Sequence, residues 1–448
     1  MIEYFTDPVL AAPTIGSMLM CLLAAFVGTF SVLKRQSLVA EALSHASYPG
    51  VIVSLLLCRV FFISDDAWHF LLYPLLGAAL SSLLGMYCIQ KLTKKYNIAS
   101  DSALCVVLAS FFGVALVVLS CVQSSYPTLY RELQSYLFGQ AATQTNEHII
   151  LYSIVTLLVL VASVCCYRPI KAVIFDPEYA KAIGIDVNKI HAVLLAITVV
   201  AVVVGIRSLG VVLMSAMFIF PAVASRLWTS RLELVLLLAS VFGLISGFFG
   251  VVLSHEMSQI VLSNGQYSSF PTGPMIVLAA AILFIISSII SPQRGLLFRI
   301  VRRYFFRRQC LQENMLKTLW KLCSSKQSQL VTRQEIVRRF QAKPFALTRL
   351  LFSLEKKGWL KRISKDTYEV TSSGMLWGRK IVRLHRLWEV YLVEYCGMGK
   401  DRVHPSAEEM EHIITPEIEA ALEIALHYPN QDPHSQPIPA HEVHLLRS

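Results

Sequence analysis

Residues 273–308 read GPMIVLAAAILFIISSIISPQRGLLFRIVRRYFFRR, and one change of character inside them divides the chain. Residues 273–291 carry no ionisable side chain, and a run of about 20 apolar residues is long enough to cross a bilayer core of about 30 Å. Arg299, Arg302, Arg303, Arg307 and Arg308 then arrive in quick succession, interleaved with Ile, Val, Tyr and Phe. Such a segment is amphipathic, basic and suited to an anionic lipid surface. Upstream of this junction eight more apolar runs can be drawn, at 9–33, 38–58, 68–90, 102–122, 148–167, 190–206, 209–227 and 232–253. Only Arg207 and Ser208 separate the sixth from the seventh. Charge is distributed to match: Met1–Phe298 holds 15 Lys and Arg against 13 Asp and Glu, whereas Arg299–Ser448 holds 25 against 16. Over all 448 residues 55% are apolar and 15% charged, where a soluble domain carries about 25% charge, which argues against a single globular cytosolic enzyme. The fold class expected is an all-α polytopic membrane domain of about nine transmembrane helices followed by a soluble C-terminal third.

Lys and Arg collect in the cytoplasmic loops of membrane proteins. Here Lys34/Arg35, Lys91/Lys94/Lys95, Arg168/Lys171/Lys181/Lys189, Arg226/Arg231 and Arg294 onward fill every second loop, while Ile63–Asp66 and Asn264–Gly273 are poor in basic residues. The N-terminus is therefore expected outside and the C-terminal third inside. Glu3 and Asp7 stand where a secretory leader would be basic, so no signal peptide is expected. Ten cysteines lie scattered without a CxxC pair, which argues against a disulfide framework and against a thiolate zinc site. No G-x-x-x-x-G-K-[ST] phosphate loop occurs, so the chain is not expected to hydrolyse ATP by that chemistry.

An ionisable residue inside a span is costly and marks function by default. Glu41-Ala-Leu-Ser-His45 places a carboxylate and an imidazole at i, i+4 on one helical face, where they could share a divalent cation or simply tie two helices together. They read as the one titratable pair well inside any span. Ala40, Ala42, Ser44, Ala46 and Ser47 beside them leave room for an ion or a neighbouring helix. The cytoplasmic segment Arg168–Ile190 contains Phe175-Asp-Pro-Glu-Tyr-Ala-Lys-Ala-Ile-Gly184. Its Asp176-Pro177 start and Gly184 stop predict a short capped helix, either a docking element for another protein or a connector.

Ala40-Glu-Ala-Leu-Ser-His-Ala-Ser-Tyr-Pro-Gly50, Leu137-Phe-Gly139, Asp176-Pro-Glu-Tyr-Ala180, the Gly210…Phe220-Pro-Ala222 stretch and Pro271-Thr-Gly-Pro274 form an ordered set. By that set, residues 1–295 resemble the ABC-3 family, the permease subunits of bacterial ABC importers for manganese, zinc and iron. The resemblance implies that Asp176, Pro177, Glu178, Ala180 and Gly184 belong to a coupling helix that receives the ATPase's stroke. It places Glu41 and His45 on the metal pathway, with Glu41 where the family commonly has Asp. It also implies partners: a separate ABC ATPase subunit, an extracytoplasmic solute-binding protein and a second permease subunit, identical or different.

The charge of the last third splits again. Residues 299–386 hold 22 basic against 5 acidic side chains, and residues 387–448 hold 3 against 11. A basic module followed by an acidic one suggests contact with nucleic acid first and something else second. Leu311–Cys323 has helical apolar spacing, and Thr332-Arg-Gln-Glu335 is a capping box that starts a helix through Phe340. Ala342-Lys343-Pro344 makes a turn, and a third helix, Phe345–Lys357, stops at Gly358. Leu360–Ile363 and Tyr368–Val370 then flank Ser364-Lys-Asp-Thr367 as the hairpin of an α+β winged helix-turn-helix domain. The helix from Pro344 would enter the major groove of double-stranded DNA. Lys343, Pro344, Thr348, Arg349, Lys356, Lys361, Arg362 and Lys365 form the candidate DNA-binding set, the basic ones meeting phosphates. A protein-binding or membrane-surface face is the other reading of the same charges. Further on, His385-Arg-Leu-Trp-Glu389 pairs an imidazole with a carboxylate at i, i+4, His404 follows, and Glu408, Glu411 and His412 share a helical face. Together they offer nitrogen and oxygen ligands without a thiolate, a set that suits Mn(II), Fe(II) or Zn(II) and disfavours Cu(I). Singly, such pairs are common on solvated helices.

Residues 311–439 resemble the DtxR/MntR family of metal-dependent repressors. The Pro344 turn and wing match its DNA-binding region, and Trp377–Pro439, with Asp432-Pro-His-Ser-Gln-Pro-Ile-Pro439, its helical metal-sensing and dimerisation region. The resemblance implies that His385, Glu389 and His404 fall on one metal site, that Glu408, Glu411 and His412 fall on the other, and that the region forms a homodimer. Glu408 stands where iron-type members have Cys and manganese-type members Glu, and Asn314 where the first helix offers Met or Asp. The SH3-like third domain of longer members is not expected after Ser448. The expected layout is a transmembrane permease domain at 1–295, a basic juxtamembrane linker at 296–310, the winged helix-turn-helix domain at 311–371 and the metal-sensing region at 372–448. A divalent metal, Fe2+ or Mn2+ ahead of Zn2+, is expected as cargo and as co-repressor. The setting is a bacterial inner membrane, with a cytoplasmic repressor open to release by cleavage within 293–312. The rival from another class is a membrane-anchored one-component metal sensor whose spans transport nothing.

Overall fold

The computed structural model describes residues 3–60, 67–263, 270–340 and 344–440. The loop stretches 63–66 and 264–269, together with Ala342 and Lys343, lie outside the described residues. The chain divides into two compact units, Met1–Arg299 and Ile300–Ser448.

Among the described residues of the first unit, nine helices are long and apolar enough to cross a membrane. In hydrocarbon every backbone N–H and C=O must be satisfied within the protein, which is why apolar runs of this length fold as helices. One helical turn, α1 (Glu3–Thr6), precedes the spans α2 (Pro8–Leu33), α3 (Leu38–Val60), α4 (Ala67–Lys95) and α5 (Ser100–Ser125). The short α6 (Pro127–Phe138) leads to the span α7 (Asn146–Cys165), the small helices α8 (Tyr167–Phe175) and α9 (Pro177–Ala182), and the spans α10 (Val187–Leu209), α11 (Val211–Trp228), α12 (Leu232–Ser263) and α13 (Thr272–Ile290). α2 is the central stave: it packs against α7, α10, α11 and α12, with Met20, Leu23 and Ala24 fully buried.

Small residues decide how closely these helices cross. A Cβ on Gly50 of α3 would lie 2.0 Å from the Gly77 carbonyl oxygen of α4, so the two backbones touch there. The sixth and seventh spans part at Gly210 and not at Arg207–Ser208. Gly210 adopts φ +86, a conformation that a side chain resists, whereas Arg207 and Ser208 continue the helix. Gly210 backs onto Gly139, whose φ is +78, and the Gln140 N–H donates to the Arg207 carbonyl at 3.0 Å. Gly273 closes on the same place, since a Cβ on it would lie 2.5 Å from the Phe138 carbonyl oxygen. Three stretches far apart in sequence, around Gly139, Gly210 and Gly273, therefore meet at one backbone crossing.

The second unit opens within α14 (Leu296–Lys326). The sequence reading separates a basic linker, 296–310, from a helix beginning at Leu311. The two are instead one helix, because no Gly, Pro or capping residue interrupts them before Gln327 turns to φ +52. The strand β1 (Leu330–Thr332) follows, then α15 (Arg333–Arg339), α16 (Pro344–Lys356), β2 (Leu360–Arg362) and β3 (Thr367–Val370). The capping box forms as written, with both Thr332 and Glu335 bonding back onto the start of α15. Gly358, at φ +72, ends the turn after α16. The wing is a three-stranded antiparallel sheet ordered β1-β3-β2, with Leu330 opposite Glu369 and Leu360 opposite Val370. β1 is too short to show a period of two in the sequence, which is why it escapes notice there. Leu316, Leu319, Ile336, Leu354, Leu360 and Val370 build the core beneath it. Beyond the wing, α17 (Ser372–Glu394), α18 (Val403–Met410) and α19 (Pro416–Ala425) form the acidic region. The segment after α19 lies along α17. Arg386 is 3.5 Å from Asp432 and also donates to the Pro437 carbonyl, while Arg383 reaches Glu423 and the Pro439 carbonyl.

Candidate functional site

α17 supplies His385 and Glu389 one turn apart, and the start of α18 brings His404 against them. Glu389 Oε1 is 3.1 Å from His385 Nε2 and 2.9 Å from His404 Nδ1, and the two imidazole nitrogens are 3.0 Å apart. Ligands about 2.1 Å from a metal and at right angles to one another lie about 3.0 Å apart, so the three donors already have the spacing of adjacent corners of a coordination sphere. His385 and Glu389 are buried, whereas the His404 side chain is 53% exposed and leaves the group open to solvent. These three form the cluster of metal-ligating side chains found among the described residues. Burial works to raise the Glu389 carboxyl, but hydrogen bonds from His385 and His404 outweigh it and hold the group at about 2. Burial also works against charging His385, yet the carboxylates of Glu389 and Glu411 win and raise its imidazole above the ordinary value.

The second expected set assembles only in part. α18 ends at Met410, so Glu408 stays on the helix while Glu411 and His412 sit in the turn after it. Glu408 is exposed and lies 3.6 Å from His404 Nε2. Glu411 is buried and takes Lys317 of α14, with Nζ at 2.7 and 3.0 Å from its two oxygens, and His385 Nδ1 at 2.5 Å. His412 Nδ1 is bonded to Glu313, also of α14, at 2.6 Å. Lys317 and Glu313 were missed from sequence, where a lysine and a glutamate on a basic helix look like solvated surface. Asn314, the position singled out there, is half-buried next to Glu313.

On the winged helix, Thr348, Arg349, Lys356, Lys361, Arg362 and Lys365 are all exposed, and Pro344 begins α16. Lys343 lies outside the described residues. Arg349 stacks over the exposed Phe345 ring at 4.5 Å, and Thr348 accepts from Arg333 at 2.9 Å. Arg362 turns back on the hairpin, donating to the Ser364 and Lys365 carbonyls at 3.2 and 3.4 Å, so part of its donor capacity shapes the wing.

In the membrane unit α9 is capped as expected. The Asp176 carboxylate accepts from the Tyr179 N–H at 2.9 Å, Pro177 is the first helical residue, and Gly184 takes φ +83 beyond the end. Ala180 faces inward and Glu178 outward, while Phe175, Tyr179 and Ile183 present an exposed apolar surface. Glu41 and His45 are less intimate than their spacing suggests. Glu41 lies half-buried in the first turn of α3, not deep in the span, and among the described residues no hydrogen bond joins it to His45. His45 is buried, its Nδ1 lacks a hydrogen-bond partner, and its ring meets Phe112 edge-on at 4.6 Å.

Residues 6–291 match the ABC 3 transport family, and residues 371–440 match the iron dependent repressor, metal binding and dimerisation domain. The chain belongs to the ABC 3 transport family. A probable metal transport system membrane protein of Chlamydia trachomatis is 36% identical over 443 residues, covering 97% of each chain. The manganese transport system membrane protein MntC of Bacillus subtilis is 32% identical over 84% of this chain and 82% of its own length. Among solved structures, PsaBC from Streptococcus pneumoniae in complex with Fab is similar, with a TM-score of 0.55 and 26% identity, covering 65% of this chain and 95% of that one. This ABC 3 member is thus a multi-pass metal-transport permease fused in one polypeptide to a repressor-like, metal-binding domain. Its ABC 3 unit also holds a polar cluster that corrects the reading of Glu41 and His45 as the one titratable pair there. His148, Tyr136, Tyr152 and Arg207 line a common pocket, and Gln144 donates to Ser208 at 2.6 Å. His148 Nε2 and the Tyr152 hydroxyl are buried without hydrogen-bond partners. His148 and Tyr152 share a face of α7 at i, i+4, but Tyr136 and Arg207 come from α6 and α10, so only the packing of three helices brings the group together.

Proposed function

We propose that this chain is the membrane subunit of an ATP-driven importer of Mn2+ or Fe2+, and that its C-terminal third is a repressor of metal-uptake genes, activated by the same ion. The observation that carries the reading is the His385–Glu389–His404 cluster, on the same polypeptide as an ABC 3 permease. Nitrogen and oxygen donors without sulfur suit Mn(II), Fe(II) or Zn(II), and of these the name of the Bacillus subtilis relative points to manganese. The basic loops support an N-terminus outside and the DNA-binding third in the cytoplasm. The partners on this reading are an ABC ATPase, seated on α9 through Phe175, Tyr179 and Ile183, an extracytoplasmic solute-binding protein, and a second permease subunit. Glu41 and His45 serve the passage of the ion, and α16 enters an operator as one half of a dimer. Metal bound between α17 and α18 favours the DNA-binding arrangement because it binds that arrangement better. Release of the repressor fits the junction: Pro292, Gln293 and Arg294 are exposed and non-helical between α13 and α14.

Reconstitution into liposomes with the cognate ATPase and binding protein tests the transport half. ATP-dependent 54Mn2+ uptake is expected, and it should fall at least tenfold in Glu41→Gln or His45→Ala with assembly unchanged. Full uptake by both variants removes their pathway role. No uptake by the intact assembly would leave an anchored sensor in place of a transporter.

A further inference from the structure

The two nitrogens of His385 face two different cation positions. Nε2 looks toward Glu389 and His404, the three-donor cluster above. Nδ1 looks the other way, to Glu411 at 2.5 Å. Beyond Glu411 lies His412, whose Nε2 is 3.8 Å from Glu411 Oε1 and is buried without a hydrogen-bond partner. An imidazole nitrogen, a carboxylate and an unsatisfied second imidazole nitrogen, all buried, make a donor set for a divalent ion. What sits against His385 and Glu411 is the ammonium of Lys317, 2.7 and 3.0 Å from the Glu411 oxygens and 3.1 Å from His385 Nδ1, on a side chain only 7% exposed.

We propose that Lys317 is a built-in cation that fills a second metal position of the sensor, so that each sensor takes one divalent ion, at His385, Glu389 and His404. This rests on the sensor reading given above. A dication and an ammonium cannot share so small a buried space, because their repulsion there is screened far less than in water. The lysine also supplies without metal what a second ion would supply only when bound. It joins α14, the first helix of the winged unit, to α17 and to the turn after α18. Of the three links between the sensing region and α14 that involve these donors, Lys317–Glu411, Lys317–His385 and Glu313–His412, none waits for an ion.

Equilibrium dialysis of the purified full-length chain in detergent against Mn2+ tests the assignment by differences, which cancel any ion held by the membrane unit. His385 borders both positions, so wild type minus His385→Ala should be one ion per chain. Lys317→Glu should hold one ion more than wild type, and adding His404→Ala to it should return the count to the wild-type value. A wild-type chain that loses two ions on His385→Ala overturns the proposal, whatever the lysine variant does. A folded Lys317→Glu chain, checked by circular dichroism, that gains no ion overturns it too and leaves Lys317–Glu411 as an ordinary buried ion pair. A loss of none on His385→Ala removes the sensor reading itself, and the proposal with it.

Discussion

Glu389 and His385 pull each other in opposite directions on the pH scale. Glu389 is held at about 2, below an unfolded value of about 4.3, so its contribution to stability is present above about pH 4.3 and is lost as pH falls toward 2. His385 is raised, so its contribution is present below its unfolded value of about 6.5 and fades as pH rises through the folded one. Metal-free protein should therefore protect the amides of α17 and α18 best between about pH 4.3 and 6.5. Hydrogen exchange corrected for intrinsic rates checks this, and Glu389→Gln should shrink the acid arm to the part set by Glu411, a carboxyl that burial works to raise but that His385 and Lys317 hold below its ordinary value. The neighbouring carboxylates separate by burial. Glu411→Ala strands the buried Lys317 ammonium and should cost the unit about 3–5 kcal/mol, the usual result of breaking a buried pair. Glu408→Ala, on a side chain 56% exposed, should stay within about 0.5 kcal/mol. Urea unfolding followed by exchange in α17 peptides measures both, and equal costs would contradict the division between them. The sequence made the ligand types at these positions legible, since i, i+4 spacing is a property of one helix. Their pairing with Lys317 and Glu313 was not, because it is set by the packing of α14 against α17 and α18.

At the scale of elements, legibility followed local signals. The Thr332–Glu335 capping box, the Asp176-Pro177 cap and the Gly184 and Gly358 stops each fixed a boundary, because each acts within a few residues. The continuity of α14 across its arginines was not legible, since amphipathic charge looks like a linker even when nothing breaks the helix. Nor was the joint of Gly139, Gly210 and Gly273, where the reason for a glycine is another segment's backbone. Two glycines of positive φ make a test of that difference. Gly184, at φ +83, has open space around it, so Gly184→Ala should cost only the left-handed backbone term, about 1–2 kcal/mol. A Cβ on Gly210 would come 2.5 Å from Gly139 N and from the Leu137 carbonyl oxygen, so Gly210→Ala adds a clash that backbone must yield to. The thermal midpoint of the detergent-solubilised chain should drop distinctly further for Gly210→Ala. Equal midpoints would mean that the joint is looser than its geometry.

On the proposed reading, a chain with nine candidate spans must place a winged helix on DNA. Two half-sites lie one or more helical turns of DNA apart, about 34–36 Å per turn, and two anchored copies must reach them together. Cleavage near Pro292–Arg294 would remove that constraint, and this turn is the non-helical backbone between α13 and α14. A chain carrying a C-terminal tag should yield, on cell fractionation, a soluble tagged fragment beginning just before α14. Tagged protein found only at full length in the membrane, with repression still following metal, would establish the tethered form instead.

The exposure of His404 bears on timing. Two of the three cluster residues are buried in the protein, and the third, His404, has a side chain 53% open to water. An ion held by this trio can therefore leave through its solvent-facing side without the local unfolding that would add microseconds to seconds. On the proposed reading the memory of the sensor is set by the strength of its metal–ligand bonds and not by an opening of the fold. It forgets a pulse of import as fast as those bonds break, with no delay added by the backbone.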